Sequence, residues 1–421
     1  MSDPMRILFL RPSYVASFPA TPRPFMLPTV PESGPTRDTL LPFHAGSGRN
    51  IGNLVHTEAM PRILRHDPER SAFLSLHRTV RARSLKWLTD VVNAEFDMVV
   101  FSAANFIRPE TDFDLECKFF EKLAIPAVLV GAGVQNPPTQ GDPGLGESLC
   151  RFLSLADESF ALFGVRGAVT AQVLSDMGLR NMVPLGCPSF YAYPDNMARL
   201  AAPDLGDVRR ILTAGHISVR GGPGSRYEQM ARLLAAFPRA RVDYVLQNEL
   251  FWAEEAMDAE PYYDPVTKEV SPDWARRKFF RHARPDLPIP RLHYFTDTSS
   301  WRMFAAGQDL YIGDRIHGGV VAMQARRPAV ILHKDARVRE LAEHIGCPNL
   351  SLDDLAGREA RPALEQALSP AAIRRFRKCH AARLDEFRTR LRGVGLALSA
   401  EMENAGAPET MASRLRGLLR P

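Results

Sequence analysis

Short apolar runs alternate along the chain with segments whose apolar residues recur at helical spacing. In the first 200 residues, the predicted strands are 5–10, 97–101, 127–130 and 160–165, and residues 183–188 close the unit. Four helices are predicted in this half. One follows residue 53, two lie near 112–124 and 145–157, and the last ends at Gly178. Strands that alternate with helices at this interval are typical of βαβ units. The pattern therefore predicts a parallel sheet and one Rossmann-like domain, complete by about residue 200.

A second alternation follows residues 195–209, which carry few strand signals and are placed as a hinge. The predicted strands are 211–220, 242–246, 293–295, 309–313 and 329–332, with helices over 226–236, 299–306 and 369–392. Residues 11–45 and 255–290 show neither pattern and are predicted to be a long loop and an insertion. We predict an α/β fold of two Rossmann-like domains facing across a cleft, over residues 1–200 and 210–365, with a helical segment over 366–421.

Composition narrows the classes of function. The formal charge of +5 comes from scattered arginines, and there is no basic block of the kind that binds nucleic acid. No apolar run approaches the roughly 20 residues that a membrane span needs. The five cysteines are scattered without zinc-ligand spacing, which fits a reducing cytoplasm. We predict a cytoplasmic protein, and Arg414, Arg416 and Arg420 leave peripheral contact with an anionic inner membrane face open.

The stretch from Asp309 to Gly319 carries the most distinctive candidate chemistry. An apolar run ends in Gly-Asp and gives way to a second apolar segment, which predicts a buried strand turning sharply into a helix with Asp314 as its N-cap. Arg315 and His317 then fall in the first helical turn. An arginine offers a forked positive charge, and a histidine exchanges protons near neutral pH. The turn is therefore predicted to bind an anion beside an acid.

Other polar positions lie near predicted strand ends. The loop from Gly46 to Asn53 is glycine-rich and precedes a helix, but its spacing is not that of a dinucleotide site. Residues 102–105 are small and polar, as expected at a ligand-facing edge. Arg166 is interpreted as an internal salt-bridge partner, and His216 and His333 as satisfied core histidines.

Four short segments, which belong to three signatures, resemble the polysaccharide pyruvyl transferase family over about residues 46–350. Residues 163–166 (Phe-Gly-Val-Arg) and 186–189 (Gly-Cys-Pro-Ser) resemble its central signature. Residues 312–318, with the Arg-x-His pair, resemble its C-terminal signature. Residues 50–53 resemble its N-terminal Asn-x-Gly-Asp loop, although Asn53 stands where the family usually has Asp, so an acidic role of this loop is in doubt.

The resemblance implies a GT-B-like fold and transfer of a pyruvyl group from phosphoenolpyruvate onto a sugar as a cyclic ketal. The acceptor would be a glycan or lipid-linked glycan, as in exopolysaccharide biosynthesis, and no metal or other cofactor is required. His317 is the expected acid that protonates the donor methylene. Donor binding is assigned to four residues, Arg315, Arg220, Asp314 and Gly313. Asn50 and Asn53 would line the acceptor side.

Two other functions remain open at the level of sequence. A glycosyltransferase that uses a sugar nucleotide would have the same fold, since fold does not decide function. It would need aromatic or acidic side chains that bind the base and ribose, and Trp252, Tyr262 and Tyr263 are candidates. A non-catalytic, glycan-binding protein is the third possibility, and the missing loop aspartate favours it mildly.

Overall fold

The computed structural model describes residues 4–10, 50–135, 144–215, 226–249, 263–274, 291–353, 355 and 359–405. These residues form two parallel sheets with helices packed around them, one in each half of the chain. The predicted fold class, two Rossmann-like domains facing across a cleft, is confirmed by the order of the strands. The domain boundaries at residues 200 and 365 stay predictions.

The first sheet has six strands. They are β1 (Ile7–Leu10), β2 (Ala72–Leu74), β3 (Met98–Ser102), β4 (Ala127–Ala132), β5 (Leu162–Val165) and β6 (Met182–Pro184). Their order across the sheet is β2-β1-β3-β4-β5-β6, and all neighbours are parallel. The first five are buried at every position, which explains why they read as continuous apolar runs.

The second sheet has seven strands. They are β7 (Arg210–Thr213), β8 (Arg241–Val245), β9 (Glu269–Val270), β10 (Arg291–His293), β11 (Leu310–Gly313), β12 (Ala329–His333) and β13 (Asn349–Ser351). The order is β13-β12-β11-β7-β8-β10-β9, and only β9 is antiparallel to its neighbour. Without β9, the connectivity is that of a Rossmann sheet. The strand predicted over 211–220 ends at Thr213, and residues 216–225 lie outside the described residues.

Helices connect the strands and cover both faces of each sheet. In the first half they are α1 (Gly52–Ile63), α2 (Leu76–Ala82), α3 (Leu85–Glu95), α4 (Asp114–Phe120), α5 (Glu147–Ser159), α6 (Ala168–Asp176) and α7 (Pro194–Ala198). In the second half they are α8 (Arg226–Ala235), α9 (Thr298–Ala306), α10 (Ile316–Gln324), α11 (Ala336–Ile345), α12 (Ala360–Ala367), α13 (Pro370–Gly393) and α14 (Ala400–Asn404). The helix predicted over 112–124 is shorter than expected.

The apolar core holds the two halves together. One cluster lies within the first half, while a larger cluster runs from β1 through both sheets to α14. The long helix α13 returns to the first half, where the His380 ring hydrogen-bonds the Phe190 carbonyl at 2.9 Å and Phe387 stacks on Tyr191 at 4.5 Å. A partly buried ion pair joins Glu58 of α1 to Arg302 of α9 at 2.7 Å. These contacts fix the relative position of the two sheets.

Candidate active site

A cavity of about 620 Å3 opens between the two sheets. It is lined from the first half by residues at the carboxyl ends of β1, β2, β3 and β4, and from the second half by Asn248, Arg315 and Arg337. In α/β sheets, ligands bind at the carboxyl ends of strands, where the strand order reverses. The first sheet reverses between β1 and β3, and the second between β7 and β11. The cavity therefore lies where such folds bind ligands.

A narrow recess of about 80 Å3 continues from the cavity. The two spaces share a set of lining residues, namely Asn50, Asn53, Ala104, Asn105, Arg315 and Arg337. The recess is also lined by Arg166, Asp314 and His317. It thus brings residues of the predicted C-terminal turn against residues of the first sheet.

The turn from β11 into α10 forms as predicted, but its cap differs. Arg315, not Asp314, occupies the N-cap position, and no side chain caps the helix. The amides of Asp314 and Arg315 both donate to the Ala214 carbonyl, at 3.0 and 3.3 Å, which holds the chain on β7 for one more residue before the helix begins. The N-cap prediction for Asp314 was therefore wrong, and only His317 lies in the first helical turn.

Arg315 is held by a carboxylate from the second half. Its guanidinium lies 3.6 Å from Glu249, which is 1% exposed, and also donates to the Asn248 side chain and to the Gly215 carbonyl. Burial disfavours the charge, but Glu249 and Asp314 outweigh burial and raise the pKa of Arg315. The side chain lines the cavity, yet its charge is already balanced by protein.

His317 lies in the recess and is 8% exposed. Nε2 is 3.9 Å from the thiol of Cys187, and α1 begins on the other side of the ring, where a Cβ on Gly52 would stand 3.1 Å from Nδ1. Burial, followed by the charge of Arg166, lowers the pKa of His317 well below its usual value. The imidazole is therefore neutral at pH 7 in the unliganded protein.

Arg166 is a second buried cation in the recess. It is 3% exposed, and its Nε donates to the Gly131 carbonyl at 3.2 Å. A Cβ on Gly133 would stand 2.5 Å from its Cδ, so glycine at that position leaves space for the side chain. Glu340 is nearby, but its carboxylate accepts from the amide and hydroxyl of Thr170.

Within the ranges that the structure describes, no carboxylate lies within 4.0 Å of the Arg166 guanidinium. Burial lowers the pKa of Arg166 from its ordinary value. The interpretation of Arg166 as an internal salt-bridge partner was therefore wrong as far as partners among the described residues are concerned. The recess combines this cation with His317 and with Arg337, whose guanidinium lies 3.5 Å from the Gln135 side chain and 3.6 Å from Asp335. An anion is the ligand that such a recess favours.

A family model described as polysaccharide pyruvyl transferase matches residues 50–332. This range includes Arg166, His317 and the residues that line the recess from α1. The chain belongs to the polysaccharide pyruvyl transferase family. The resemblance noted in the sequence is thereby confirmed, and the family signatures of this chain meet in space, since Arg166 and Cys187 of the central signature flank His317 of the C-terminal one.

Several solved structures are similar to this chain over most of its length, at low sequence identity. The UDP-GlcNAc 2-epimerase of Neisseria meningitidis bound to UDP-GlcNAc is 11% identical, covers 99% of this chain and 100% of its own, and has a TM-score of 0.40. Anabaena HepE in complex with UDP-glucose is 13% identical, with coverages of 93% and 98% and a TM-score of 0.44. The α,α-trehalose 6-phosphate synthase of Burkholderia multivorans is 14% identical, with coverages of 94% and 99% and a TM-score of 0.43. No curated protein matches the chain in sequence.

The other predicted donor residues are placed by the structure as follows. Asp314 lines the recess and is 6% exposed. Gly313 lines neither space, and a Cβ there would overlap the Ala214 carbonyl, so the absence of a side chain serves the close approach of β11 to β7. Arg220 lies outside the described residues, as does His216.

On the predicted acceptor side, Asn50 and Asn53 line both the cavity and the recess. The Asn50 side-chain oxygen accepts from the Gly52 amide at 2.9 Å, so this residue also shapes the start of α1. His333 is a satisfied core histidine as predicted, since its Nε2 lies 3.0 Å from the Asn349 side chain. Tyr263 donates to the Tyr294 carbonyl and lines neither space.

Several residues of the site were missed in the sequence. Arg337 follows the strand end at 333–335, where the polar residues gave a signal that could have been used. His77 and Glu116 line the large cavity, and their side chains are joined by a hydrogen bond of 3.0 Å. His77 follows β2, a strand of only three residues that leaves almost no apolar run to detect. No signal in the sequence links it to Glu116.

The described residues contain neither a helix that could span a membrane nor a cluster of metal-binding side chains. Within the described ranges, no helix combines the length and the apolar character that crossing a bilayer requires. The same ranges hold no group of three His, Cys, Asp or Glu side chains arranged to bind a metal ion.

Proposed function

We propose that the protein transfers a pyruvyl group from phosphoenolpyruvate to a sugar of a polysaccharide or its precursor, forming a ketal. Membership of the pyruvyl transferase family supports the class of reaction. The observation that carries the choice of donor is the pairing of a buried arginine, Arg166, with His317 in one recess. Phosphoenolpyruvate carries a phosphate and a carboxylate beside a methylene that must be protonated, so it requires cations and an acid together.

The donor anions are assigned to Arg166 and Arg337, with Arg315 at the mouth of the recess. Arg166 has the larger role because its charge is not paired with a carboxylate within the described chain, whereas Arg315 is engaged by Glu249. A buried, unpaired cation is costly in the unliganded protein and gains most from an arriving anion. The predicted role of Arg315 therefore changes from principal anchor to a neighbour that is already held in place. Arg220 stays a proposed second anchor.

His317 is assigned as the acid that protonates the donor methylene. A neutral imidazole is a poor acid, and the pKa of His317 is lowered by burial and Arg166. The donor resolves this conflict, because its negative charges next to the ring offset Arg166 and favour the imidazolium. The acid is thus formed when the donor binds, and its proton is then transferred to the methylene carbon as a sugar hydroxyl adds to the neighbouring carbon.

The glycan acceptor is assigned to the large cavity, next to the recess. Its volume of about 620 Å3 falls within the range of roughly 300–1,000 Å3 typical of ligand pockets. The rings of Phe106 and Phe113, 4.9 Å apart, form part of its wall, and Asn50 and Asn53 lie between cavity and recess. Aromatic faces together with amide side chains suit a sugar, which has apolar C–H faces and hydroxyl edges.

The test is release of phosphate from phosphoenolpyruvate in the presence of a panel of glycans and lipid-linked glycans. We expect release that depends on the acceptor, and a higher melting temperature with phosphoenolpyruvate than with UDP-sugars at the same concentration. Stabilisation by a UDP-sugar alone would instead support the sugar-nucleotide glycosyltransferase. Stabilisation by a glycan, with neither donor bound, would support the non-catalytic alternative.

Donor binding is expected to be coupled to uptake of a proton near pH 7. Free His317 is neutral because its pKa is lowered, and the bound donor raises that pKa, so the complex holds more protons than the free protein. The affinity for phosphoenolpyruvate should therefore increase as the pH falls from the pKa of His317 in the complex towards its pKa in the free protein. Calorimetric titration with phosphoenolpyruvate in buffers of different ionisation enthalpy measures the uptake. The His317→Asn variant should lack the contribution of the imidazole, and equal uptake in both proteins would contradict the assignment.

A further inference from the structure

A histidine and a buried glutamate face the large cavity from two different elements of the first half. His77 lies in the first turn of α2, after β2, and Glu116 lies on α4, after β3. The Nε2 atom of His77 is 3.0 Å from Glu116 Oε1, although the residues are 39 positions apart. Both line the cavity assigned to the acceptor. Neither belongs to the family-like segments found in the sequence.

The burial of the pair is uneven. The side chain of His77 is 50% exposed, whereas that of Glu116 is 8% exposed. The second carboxylate oxygen of Glu116 is buried and has no hydrogen-bond partner among the described residues. A buried carboxylate whose hydrogen bonds are incompletely satisfied costs free energy.

The hydrogen bond to Glu116 determines the tautomer of the His77 imidazole. A carboxylate only accepts hydrogen bonds, so Nε2 carries the proton that points to Glu116. In the neutral ring, Nδ1 then holds the lone pair, and no described residue hydrogen-bonds to it. This is the arrangement by which a carboxylate orients a histidine that acts as a general base.

Asn105 connects the pair to the donor recess. It follows β3 and lines both the cavity and the recess. Its side-chain oxygen is buried without a hydrogen-bond partner among the described residues. A hydroxyl group is a donor that would satisfy this oxygen. An acceptor sugar placed here would lie between His77 on one side and His317 on the other.

We propose that His77 and Glu116 form the acceptor-side base of the enzyme, with His77 as the catalytic residue and Glu116 as its positioning residue. The inference rests on the proposed function. An acceptor hydroxyl oxygen bonds to the central carbon of phosphoenolpyruvate, and its proton passes to His77 Nδ1. The methylene carbon takes a proton from His317 and becomes the methyl group. Phosphate then leaves with the electrons of its C–O bond, the second hydroxyl closes the ketal, and that hydroxyl's proton leaves with phosphate.

The charged surroundings of His77 set the direction of its pH dependence. The hydrogen bond that His77 donates to Glu116 raises the pKa of His77, burial and Arg81 lower it, and Asp112 raises it further. Arg108 also lines the cavity. A base must be unprotonated, so kcat/KM should fall as pH drops through the pKa of His77. Replacing Glu116 by glutamine removes its charge, which lowers that pKa and moves the acidic limb to lower pH.

The experiment compares kcat/KM for phosphate release against pH in four proteins: wild type, His77→Gln, Glu116→Gln and Asp114→Asn. Asp114 is the matched control, because it is a carboxylate on the same helix, pairs with Lys118 and lines neither space. We expect His77→Gln to lose about 100-fold in turnover without loss of phosphoenolpyruvate binding. Glu116→Gln should be less active, with its acidic limb displaced, and Asp114→Asn should match wild type.

The outcomes separate this inference from the proposed function. If wild type releases phosphate and His77→Gln does so equally fast, the dyad is overturned and the proposed function stands. An acidic limb that does not move in folded Glu116→Gln also overturns the positioning role. If wild type releases no phosphate with any acceptor, the proposed function fails and the dyad fails with it. Melting temperatures of all four proteins show whether each variant is folded.

Discussion

Replacing His317 by asparagine is expected to lower turnover by about 100- to 10,000-fold, the contribution typical of a general acid. Asparagine keeps a polar side chain in the recess but has no proton to give at neutral pH. Donor binding should persist, because Arg166 and Arg337 are unchanged. Phosphate release measures turnover, and calorimetric titration with phosphoenolpyruvate measures binding.

His333→Asn is the matched control for this prediction. His333 is also 8% exposed and lies in the same half of the chain, but it bonds to Asn349 and lines neither the cavity nor the recess. It reports what the loss of a buried imidazole does to stability alone. Full activity of His317→Asn would require another acid, and His216 would be examined first.

Replacing Arg166 by methionine is expected to weaken phosphoenolpyruvate binding by about two orders of magnitude without destabilising the protein. Each hydrogen bond from a charged group contributes about 1.5–3 kcal/mol, and a guanidinium commonly makes two to a phosphate or carboxylate. The charge of Arg166 has no carboxylate partner within 4.0 Å in the described chain, so its removal breaks no described ion pair and relieves a desolvation cost. Titration calorimetry and thermal denaturation measure the two effects.

Arg315→Met provides the contrast. This change leaves Glu249 buried without its cationic partner, which typically costs about 3–5 kcal/mol. The two arginines line the same recess, but their replacement should affect different properties. Loss of Arg166 should weaken donor binding, and loss of Arg315 should lower the stability of the fold. If Arg166→Met were the destabilised variant and still bound the donor normally, Arg166 would have a structural role after all.

The regular elements could be predicted because their signal is local. β1, β3 and β4 are continuous apolar runs, and the burial of parallel strands on both faces requires that pattern. α10 is buried at all nine positions, and most of its residues are accordingly apolar or glycine. β2 and β13 were missed; each spans three residues, and β13 has polar residues at both ends.

The roles of the charged residues could not be predicted, because their partners are distant in sequence. Arg315 is balanced by Glu249, which is 66 positions away and is brought close by the turns after β8 and β11. Arg166 lacks its expected carboxylate because Thr170 engages Glu340 from another element. The hydrogen bond between His77 and Glu116 requires β2 and β3 to lie on either side of β1.

The amino-acid sequence by itself determined the α/β class, the two Rossmann-like halves, the family and the turn that carries His317. Apolar periodicity and short motifs encode these features within a few consecutive residues. Only the tertiary structure decided which cation in the recess is already paired, that His317 is neutral before a ligand binds, and that His77 meets Glu116. These properties depend on burial and on distances between side chains far apart in the chain, because electrostatic energies change steeply with both.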